Sequence, residues 1–316
     1  MPFLRHEYLT AWWQVRGGGE WPLSELYVVM ARSENGELVG IAPLFYTLNR
    51  QAEPALMLLG SIEISDYLDV IASQDVLPNF LSGLIDFLSG PDFPAWCVLD
   101  WYNLLDSSPT LPLLAVLAED RGWDFIQEPL QHCPYIPLPG DWETYLAGID
   151  KKQRHEIRRK MRRAEENELP VRVYFAEAPD RLDAEIDAFM DLMSKDPEKE
   201  AFLTPAMRDQ MRLVIKAAHR EGWLQLAFIE VNGEKSAAYL NFDYDDRIWV
   251  YNSGYDPRFR ELSLGWVLLG RLLQWANENN RGAFDFMRGD EDYKYRFGAV
   301  DRRVVRAIVR RKFPVS

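Results

Sequence analysis

Carboxylates, tyrosines and basic residues crowd into one short stretch near the C-terminus, and these residue types move protons and bind charged groups. An apolar run over 283–287 is interrupted by Asp285, turns at Gly289 and enters this cluster. A buried strand that ends in polar residues is where open α/β sheets place ligands. A structural interpretation competes, because paired charges are common on solvated surfaces. The candidates for chemistry are Asp285, Asp290, Glu291, Tyr293 and Lys294.

A second polar motif, residues 251–265, leads into the most periodic helical pattern of the chain. The helix predicted over 263–279 has Gly265 in its first turn, with Arg258 and Arg260 just before it. The free backbone N–H groups and partial positive charge of a helix N-terminus suit a pyrophosphate. The alternative is an ordinary helix capped by Ser263 and flanked by surface arginines.

Lysines and arginines dominate residues 151–163. Ile157, Met161 and Ala164 form a narrow apolar seam there, which predicts a helix that packs one face and turns its cations outward. These cations either form a solvated surface, paired with the acids that follow, or bind a phosphorylated acceptor, a tRNA acceptor stem or an anionic membrane surface.

The composition excludes several classes of protein. The net charge of −13 argues against nucleic-acid binding by the whole surface, although a local basic patch is compatible with it. Cys97 and Cys133 form no CxxC motif, and neither a signal peptide nor a bilayer-length apolar run is visible, which predicts a cytoplasmic protein. The histidines form no HxxxH or HExxH motif and no Gly-x-Ser-x-Gly occurs, so we expect neither a metal site nor a serine hydrolase.

The two halves of the chain share an order of elements. Each has an Asn-Gly hairpin, at 35–36 and 232–233, followed by a strand, an amphipathic helix and a buried strand. This order predicts two similar mixed α/β domains, 1–137 and 138–316, each a central mixed sheet flanked by helices. The arginine-rich strand over 304–309 is expected at a sheet edge, where charges oppose aggregation.

The basic helix, the Ser-x-Gly helix start at 263–265 and the Asp-Phe, Gly-Asp and Tyr-Lys pairs between 285 and 294 resemble the GNAT acyltransferase superfamily. Within it, the CelD/BioF2-like acetyltransferase branch is the best match. That branch is related to Fem-type aminoacyl transferases, which carry two GNAT domains in tandem. The resemblance covers about residues 138–312 well and the first half more loosely.

This resemblance implies transfer of an acyl group from acyl-CoA, with acetyl-CoA first, to an amine or hydroxyl of a small-molecule, peptide or saccharide-precursor acceptor. It implies a base, a backbone N–H from 249–253 that polarises the acyl carbonyl, and an acid for the departing thiolate. The expected base is Asp285, with Asp290 and Glu291 as alternatives, and the expected acid is Tyr293. A competing interpretation makes Asp285 a structural acceptor of local hydrogen bonds. The expected donor-binding residues are Arg258, Arg260, Leu262, Ser263, Leu264 and Gly265, and the expected acceptor-binding residues are Asp66, Tyr67, Tyr255, Arg288 and Lys294.

The chain departs from the superfamily pattern at the phosphate loop, because it has no clean Arg/Gln-x-x-Gly-x-Gly/Ala segment. Two alternatives therefore stay open. One is a Fem-like transferase that takes its acyl group from aminoacyl-tRNA. The other is a non-catalytic binding module whose helix 151–163 docks an anionic partner.

Overall fold

A computed structural model describes residues 1–91 and 93–312 and divides the chain into two compact units. The N-terminal unit contains residues 3–131 and the segment from Arg302 onward, and the C-terminal unit contains residues 1–2 and 132–301. Each unit has one mixed sheet flanked by helices, which confirms the predicted fold class.

In the N-terminal unit, the described residues form a sheet in the order β1-β2-β3-β5-β13-β6, with the short β4 on β2. The pairs β1–β2, β2–β3, β2–β4 and β5–β13 are antiparallel, and the pair β3–β5 is parallel. The strands are β1 Ser24–Arg32, β2 Leu38–Leu48, β3 Pro54–Leu58, β4 Ile71–Ala72, β5 Val98–Leu105, β6 Asp124–His132 and β13 Arg303–Arg310. The helices are α1 His6–Gln14, α2 Arg16–Gly19, α3 Leu77–Leu88 and α4 Thr110–Asp120, with a 3-10 turn at Pro2–Leu4.

The arginine-rich last strand lies inside this sheet, between β5 and β6, so its predicted place at an edge is wrong. Arg306 is only 8% exposed there and is balanced by Asp100, with Nε–Oδ1 at 2.6 Å and Nη2–Oδ2 at 2.8 Å. A buried carboxylate thus makes an interior arginine tolerable. A division into 1–137 and 138–316 would place this strand with the other sheet.

In the C-terminal unit, the sheet order over the described residues is β7-β12-β11-β10-β9-β8. The strands are β7 Tyr135–Pro137, β8 Val171–Phe175, β9 Leu224–Val231, β10 Glu234–Asp243, β11 Arg247–Tyr255 and β12 Ala283–Asp285. The helices are α5 Trp142–Gly148, α6 Lys151–Glu165, α7 Leu182–Met193, α8 Pro197–Phe202, α9 Pro205–Arg220, α10 Leu264–Glu278 and α11 Asp292–Arg296, with 3-10 turns at Pro179–Arg181 and Pro257–Leu262.

Helices α6 and α10 pack together in the core of the C-terminal unit. The α6 seam predicted from the sequence, Ile157, Met161 and Ala164, is buried. Helix α7 packs on β11 so closely at Gly254 that a Cβ atom there would lie 2.5 Å from the backbone nitrogen of Met193. Glycine is therefore required at this crossing, and it fixes the end of β11 against the C-terminus of α7.

Candidate functional site

The pairing of strands β11 and β12 ends after three residue pairs, and this leaves a gap in the sheet of the C-terminal unit. They pair in parallel with Trp249 opposite Asp285, where β12 ends, while β11 continues to Tyr255. A register shift between Leu240 and Asn241 leaves Tyr251 as an extra residue in β11. Such a bulge bends the strand and re-aims its groups. We call the space beside residues 250–255 of β11, past the end of β12, the strand gap.

Ser253 turns its backbone polar groups toward the strand gap. The Asp256 N–H donates to the Ser236 carbonyl at 2.8 Å, which fixes the hydrogen-bonded pairs between β10 and β11. Because such pairs alternate along an antiparallel ladder, Ser253 is in a non-bonded pair with Tyr239 and points its N–H and C=O away from β10. The Ser253 N–H is taken by its neighbour, the Asn252 Oδ1 atom, at 2.8 Å.

Lys199 supplies a cation to the strand gap, since its Nζ atom donates a hydrogen bond to the Ser253 carbonyl. It comes from the short helix α8, whose first turn is capped by Asp196 through its bonds to the N–H groups of Glu198 and Lys199. Desolvation lowers the pKa of Lys199, although the negative charges of Asp196 and Glu291 act in the opposite sense. The lysine is partly buried, so its ammonium keeps a large electrostatic effect on anything bound beside it.

Two phenols face the same electrostatic environment. Tyr239 lies in β10 and Tyr293 in α11. Burial, followed by the neighbouring Tyr239 and the charge of Glu291, raises the pKa of Tyr293 well above its ordinary value. Burial and the charge of Glu291 also raise the pKa of Tyr239. Both phenols therefore stay protonated at neutral pH and can act as hydrogen-bond or proton donors.

The loop between β12 and α11 is organised by Lys294, which is 3% exposed. Its Nζ atom donates to the carbonyls of Arg288 at 3.1 Å and Gly289 at 2.9 Å and pairs with Glu291 Oε2 at 2.8 Å. Three donors thus meet three acceptors, so this lysine holds the loop and has no proton left for the acceptor role predicted for it.

Glu291 stays ionised in this loop. Its side chain is 60% exposed, and only Oε2 is committed, to Lys294. Partial desolvation opposes ionisation, but the hydrogen bond and charge of Lys294 outweigh it and hold the pKa of Glu291 below its usual range. Within residues 1–91 and 93–312 its Oε1 atom has no hydrogen-bond partner, so a carboxylate oxygen remains available to a ligand.

Asp285, the base expected from the sequence, is placed for a structural role. It is fully buried, its Oδ2 atom accepts from Arg247 Nη1 at 3.2 Å, and its Oδ1 atom accepts from the Met287 N–H at 2.9 Å. Met287 has a φ of 54°. The carboxylate therefore holds the strand end and the unusual turn after it.

The N-terminus of α10 is open to a ligand. Val267 makes the first intrahelical bond, from its N–H to the Ser263 carbonyl at 3.0 Å, so the amides of residues 264–266 come before it. Nothing lies within 4 Å of where a Gly265 Cβ would be. Ser263 has a φ of 54° and its side chain makes no capping bond, so the interpretation of an ordinary serine cap is wrong.

The other predicted donor-binding residues differ in what they offer. Arg260 is exposed and, among the described residues, has no ion pair or hydrogen bond, whereas Arg258 is held by Asp256 and Glu234. Leu264 is 3% exposed and belongs to the core, and Leu262 packs against it. The two leucines therefore contribute through their backbone.

The predicted acceptor-binding residues are dispersed. Tyr255, at the end of β11, is 54% exposed, and Arg288 is partly buried in the loop after β12. Asp66 and Tyr67 belong to the N-terminal unit, where Tyr67 is fully buried and its hydroxyl accepts from Arg302 Nη2 at 3.0 Å. That phenol is part of the packing of its own unit.

Asp290 is exposed and lies close enough to Tyr295 for its charge to contribute to a raised pKa of that phenol, after burial and Asp301. Glu291 rather than Asp290 is therefore the carboxylate coupled to Tyr293.

Sequence reasoning missed Lys199 and Tyr239. Lys199 is one lysine between glutamates in a polar stretch, a pattern typical of a solvated helix. Tyr239 is one aromatic residue in an apolar strand, and such residues usually belong to a core. A weak signal existed for Lys199 alone, since the Asp196-Pro197 pair predicts a helix start that would order it.

The basic helix α6 uses some of its cations internally. Arg158 forms an ion pair with Glu143, and Arg159 forms one with Glu156, with Nη2 and Oε1 2.8 Å apart. The Lys160 ammonium sits 4.1 Å from the ring centroid of Trp266 in the first turn of α10. Arg162 and Arg163 line a groove of about 610 Å³ that ends at Leu169. Among the described residues, Lys151 and Lys152 at the start of the helix and Arg162 and Arg163 near its end have no ion pair, so cations remain for a partner at both ends.

Among the described residues, no cluster of His, Cys, Asp and Glu side chains has a geometry that could hold a metal ion. The same residues contain no helix with the length and apolar character needed to cross a bilayer.

Residues 151–295 match the family profile described as an acetyltransferase (GNAT) domain. This part of the chain is similar to a GNAT domain. The predicted relationship to the GNAT superfamily is confirmed, while the narrower CelD/BioF2-like branch stays a prediction. No curated protein matches the sequence significantly.

Solved structures share the fold over nearly the whole chain. FemX matches with a TM-score of 0.65 and 11% identity over 96% of this chain and 91% of its own. L-PGS from Bacillus licheniformis matches with a TM-score of 0.55 and 14% identity over 98% and 92%. The C-terminal domain of a provisionally assigned lysylphosphatidylglycerol synthetase from Agrobacterium fabrum matches with a TM-score of 0.55 and 12% identity over 94% and 87%.

Proposed function

We propose that the C-terminal unit is an acyltransferase that moves an acyl group from acyl-CoA, with acetyl-CoA first, to an amine. One observation carries the proposal: Lys199 bonds the Ser253 carbonyl of β11, the strand that leads into the N-terminus of α10, and the charge of Glu291 acts on Lys199 and on the protonated phenols of Tyr239 and Tyr293. The GNAT match over 151–295 covers these residues and supports the reaction class.

The α10 N-terminus fits the pyrophosphate of the donor. Open space at Gly265 lets a phosphate approach the backbone amides of residues 264–266, and the unpaired Arg260 adds a cation. When bound, acyl-CoA supplies an activated acyl group: the acceptor nitrogen gains a bond to the acyl carbon, the carbon–sulfur bond breaks, and the thiolate takes up a proton.

Different residues of the strand gap are proposed to accept and to donate the protons of the reaction. Glu291 is ionised and keeps Oε1 available, so it is the proposed acceptor of the amine proton. Tyr293 holds its proton at neutral pH and is the proposed donor to the leaving group. Asp285 is assigned to positioning, because it holds the end of β12.

The test is calorimetric titration with acetyl-CoA, followed by an assay of thiol release with a panel of amines. We expect binding to the full chain and a weakening of about tenfold or more in Arg260→Glu, because reversal of one charge near a phosphate costs on the order of 1 to 2 kcal/mol. The absence of binding to acetyl-CoA and to longer acyl-CoAs would refute the proposal.

A second candidate is a transferase that takes an aminoacyl group from tRNA. The specific observation is the fold likeness to FemX over 96% of the chain, together with the groove beside α6 that Arg162 and Arg163 line with Glu166 and Glu168. Charge reversal at Arg162 and Arg163 should then weaken tRNA binding and reduce its salt dependence, with Arg158→Glu as a matched control whose cation is already paired. Equal retention of tRNA by all variants would exclude this candidate.

A cytoplasmic location fits this proposal, because Cys97 and Cys133 are both free thiols, as expected in a reducing compartment.

A further inference from the structure

The strand gap contains opposite charges that do not neutralise each other. Lys199 is bonded to the Ser253 carbonyl, and among the described residues no carboxylate lies within 4 Å of its Nζ atom. Glu291 is close enough to act on the charge of Lys199, but its own ion pair is with Lys294. A ligand with both signs of charge can therefore bind between the two groups.

A partly buried ammonium without a counter-ion is energetically costly. Removal of a cation from water is compensated only when anionic or hydrogen-bonding partners replace the water. Lys294 shows the compensated case, with two carbonyls and a carboxylate around its ammonium. Lys199 has one carbonyl from the described residues, so its ammonium has the capacity to bind an anion.

We propose that Lys199 binds a carboxylate carried by the acceptor, and that the acceptor is therefore an amino acid, with its carboxylate close to the amine that is acylated. This inference rests on the proposed function, since it names the acceptor class of the same site.

The charges of the gap complement such a zwitterion. The carboxylate is attracted to Lys199, while the acceptor's ammonium is attracted to the ionised Glu291, whose Oε1 atom is available to take the proton. Tyr239 and Tyr293 are uncharged at neutral pH and do not compete for either end. Desolvation lowers the pKa of Lys199, and a bound carboxylate would relieve the cost of its charge.

The first experiment compares amino acids with their own carboxamides as acceptors in the thiol-release assay. We expect the wild type to show a KM for the amino acid at least about tenfold below that for the carboxamide, the effect of one charge-assisted hydrogen bond. Lys199→Met should lose this preference, and Lys199→Arg should retain part of it. Lys195→Met is the matched control, because Lys195 is 47% exposed and lies near Asp256 instead.

The second experiment needs no donor and no turnover. N-acetylamino acids, the products of the proposed reaction, are titrated into the full chain by calorimetry. We expect binding to the wild type and to Lys195→Met, and a loss of about tenfold or more in Lys199→Met. Binding lost only in Lys199→Met supports the carboxylate site even if no amine is turned over, in which case it is the proposed function that fails.

Two results would overturn the inference. One is an equal preference for amino acid over carboxamide in wild type and Lys199→Met. The other is the absence of binding of any N-acetylamino acid while acetyl-CoA binds and amines without a carboxylate are acylated, because the proposed function would then stand without this acceptor.

Discussion

Each unit contains a pair of parallel strands that separate. We call the place where they separate the junction of that unit, and different groups occupy the two junctions. In the N-terminal unit, β3 and β5 pair at Ala55 with Val98 and at Leu56 with Leu99, and β3 ends at Leu58. In the C-terminal unit, β12 ends at Asp285 while β11 continues. Both sheets therefore contain two parallel strands whose pairing stops after a few residues.

The chain itself fills the junction of the N-terminal unit. The side-chain amide of Asn103 on β5 donates to the carbonyls of Ile62 at 2.8 Å and Ser65 at 2.7 Å. The backbone carbonyl of Asn103 accepts from the Leu68 N–H at 2.9 Å. Ser61 is fully buried in the same segment. Residues 61–68 thus occupy the space that a ligand would need.

At the C-terminal junction, the groups present are ionised side chains and protonated phenols. Lys199, Glu291, Tyr239 and Tyr293 are coupled electrostatically there, and no backbone segment of the described residues bonds to the Ser253 carbonyl. The difference teaches that the fold alone does not make a site. We infer that the acyl-transfer site belongs to the C-terminal unit and that the N-terminal junction serves stability.

The largest expected effect concerns the buried aspartate that each unit carries near its junction. Asp100→Asn should lower the free energy of unfolding by about 3 kcal/mol, because it leaves the buried Arg306 with only the half-exposed Glu128 as a counter-ion. Asp285→Asn should cost less, about 2 kcal/mol, since Arg247 is 28% exposed and keeps some water. Denaturant unfolding measures both.

This pair also separates a structural role of Asp285 from a catalytic one. We expect Asp285→Asn to retain most of its activity per folded molecule. A variant of undiminished stability with abolished turnover would make Asp285 the base after all.

The next effect concerns proton donation by Tyr293. Tyr293→Phe should lower kcat by about 100-fold, the ordinary contribution of a general acid, with little change in acetyl-CoA affinity. Tyr295→Phe is the control from the same helix, since Tyr295 is 37% exposed and its hydroxyl lies 3.4 Å from Asp301 Oδ1. Equal rates for both variants would remove Tyr293 from the mechanism.

A smaller effect is expected when the N-terminal junction is loosened. Asn103→Ala removes two buried hydrogen bonds, which should cost about 2 kcal/mol of stability. Acyl transfer per folded molecule should be unchanged. A loss of donor binding in this variant would mean that the two junctions cannot be assigned separate roles.

The smallest effect is a pH dependence of carboxylate binding. Lys199 must be charged to bind, and its pKa is lowered, so affinity should be full at neutral pH and fall as the pH rises through that lowered value, below about 10.4. Glu291 has a lowered pKa and stays ionised across this range. Calorimetry with an N-acetylamino acid against pH measures the midpoint, and a flat profile up to the ordinary lysine range would contradict the assignment.

Many of the strands and turns were predictable because short stretches of sequence determine them. The strands Val171–Phe175 and Leu224–Val231 follow from short apolar runs bounded by turn residues, and both Asn-Gly hairpins form as expected. Strand β6, Asp124–His132, was missed because its residues are mostly polar and exposed. The place of β13 was wrong because strand pairing across the whole chain leaves no local signal.

The site was predictable only in part, for a related reason. Tyr293 and Glu291 stand in a dense motif, so their chemistry is visible in the sequence. Lys199 and the Ser253 carbonyl are 54 residues apart and meet only through the packing of α7 on β11 at Gly254. An acid in an apolar strand fits both a base and a buried ion pair, so the sequence does not reveal the contact between Asp285 and Arg247.

The most direct test of the difference between the two junctions is the stoichiometry of donor binding. Calorimetric titration of the full chain with acetyl-CoA should give one site per chain, which weakens about tenfold or more in Arg260→Glu and is unaffected by Asn103→Ala. Two equivalent sites, no site, or a single site that survives Arg260→Glu and is lost in Asn103→Ala would contradict the assignment of the reaction to the C-terminal unit.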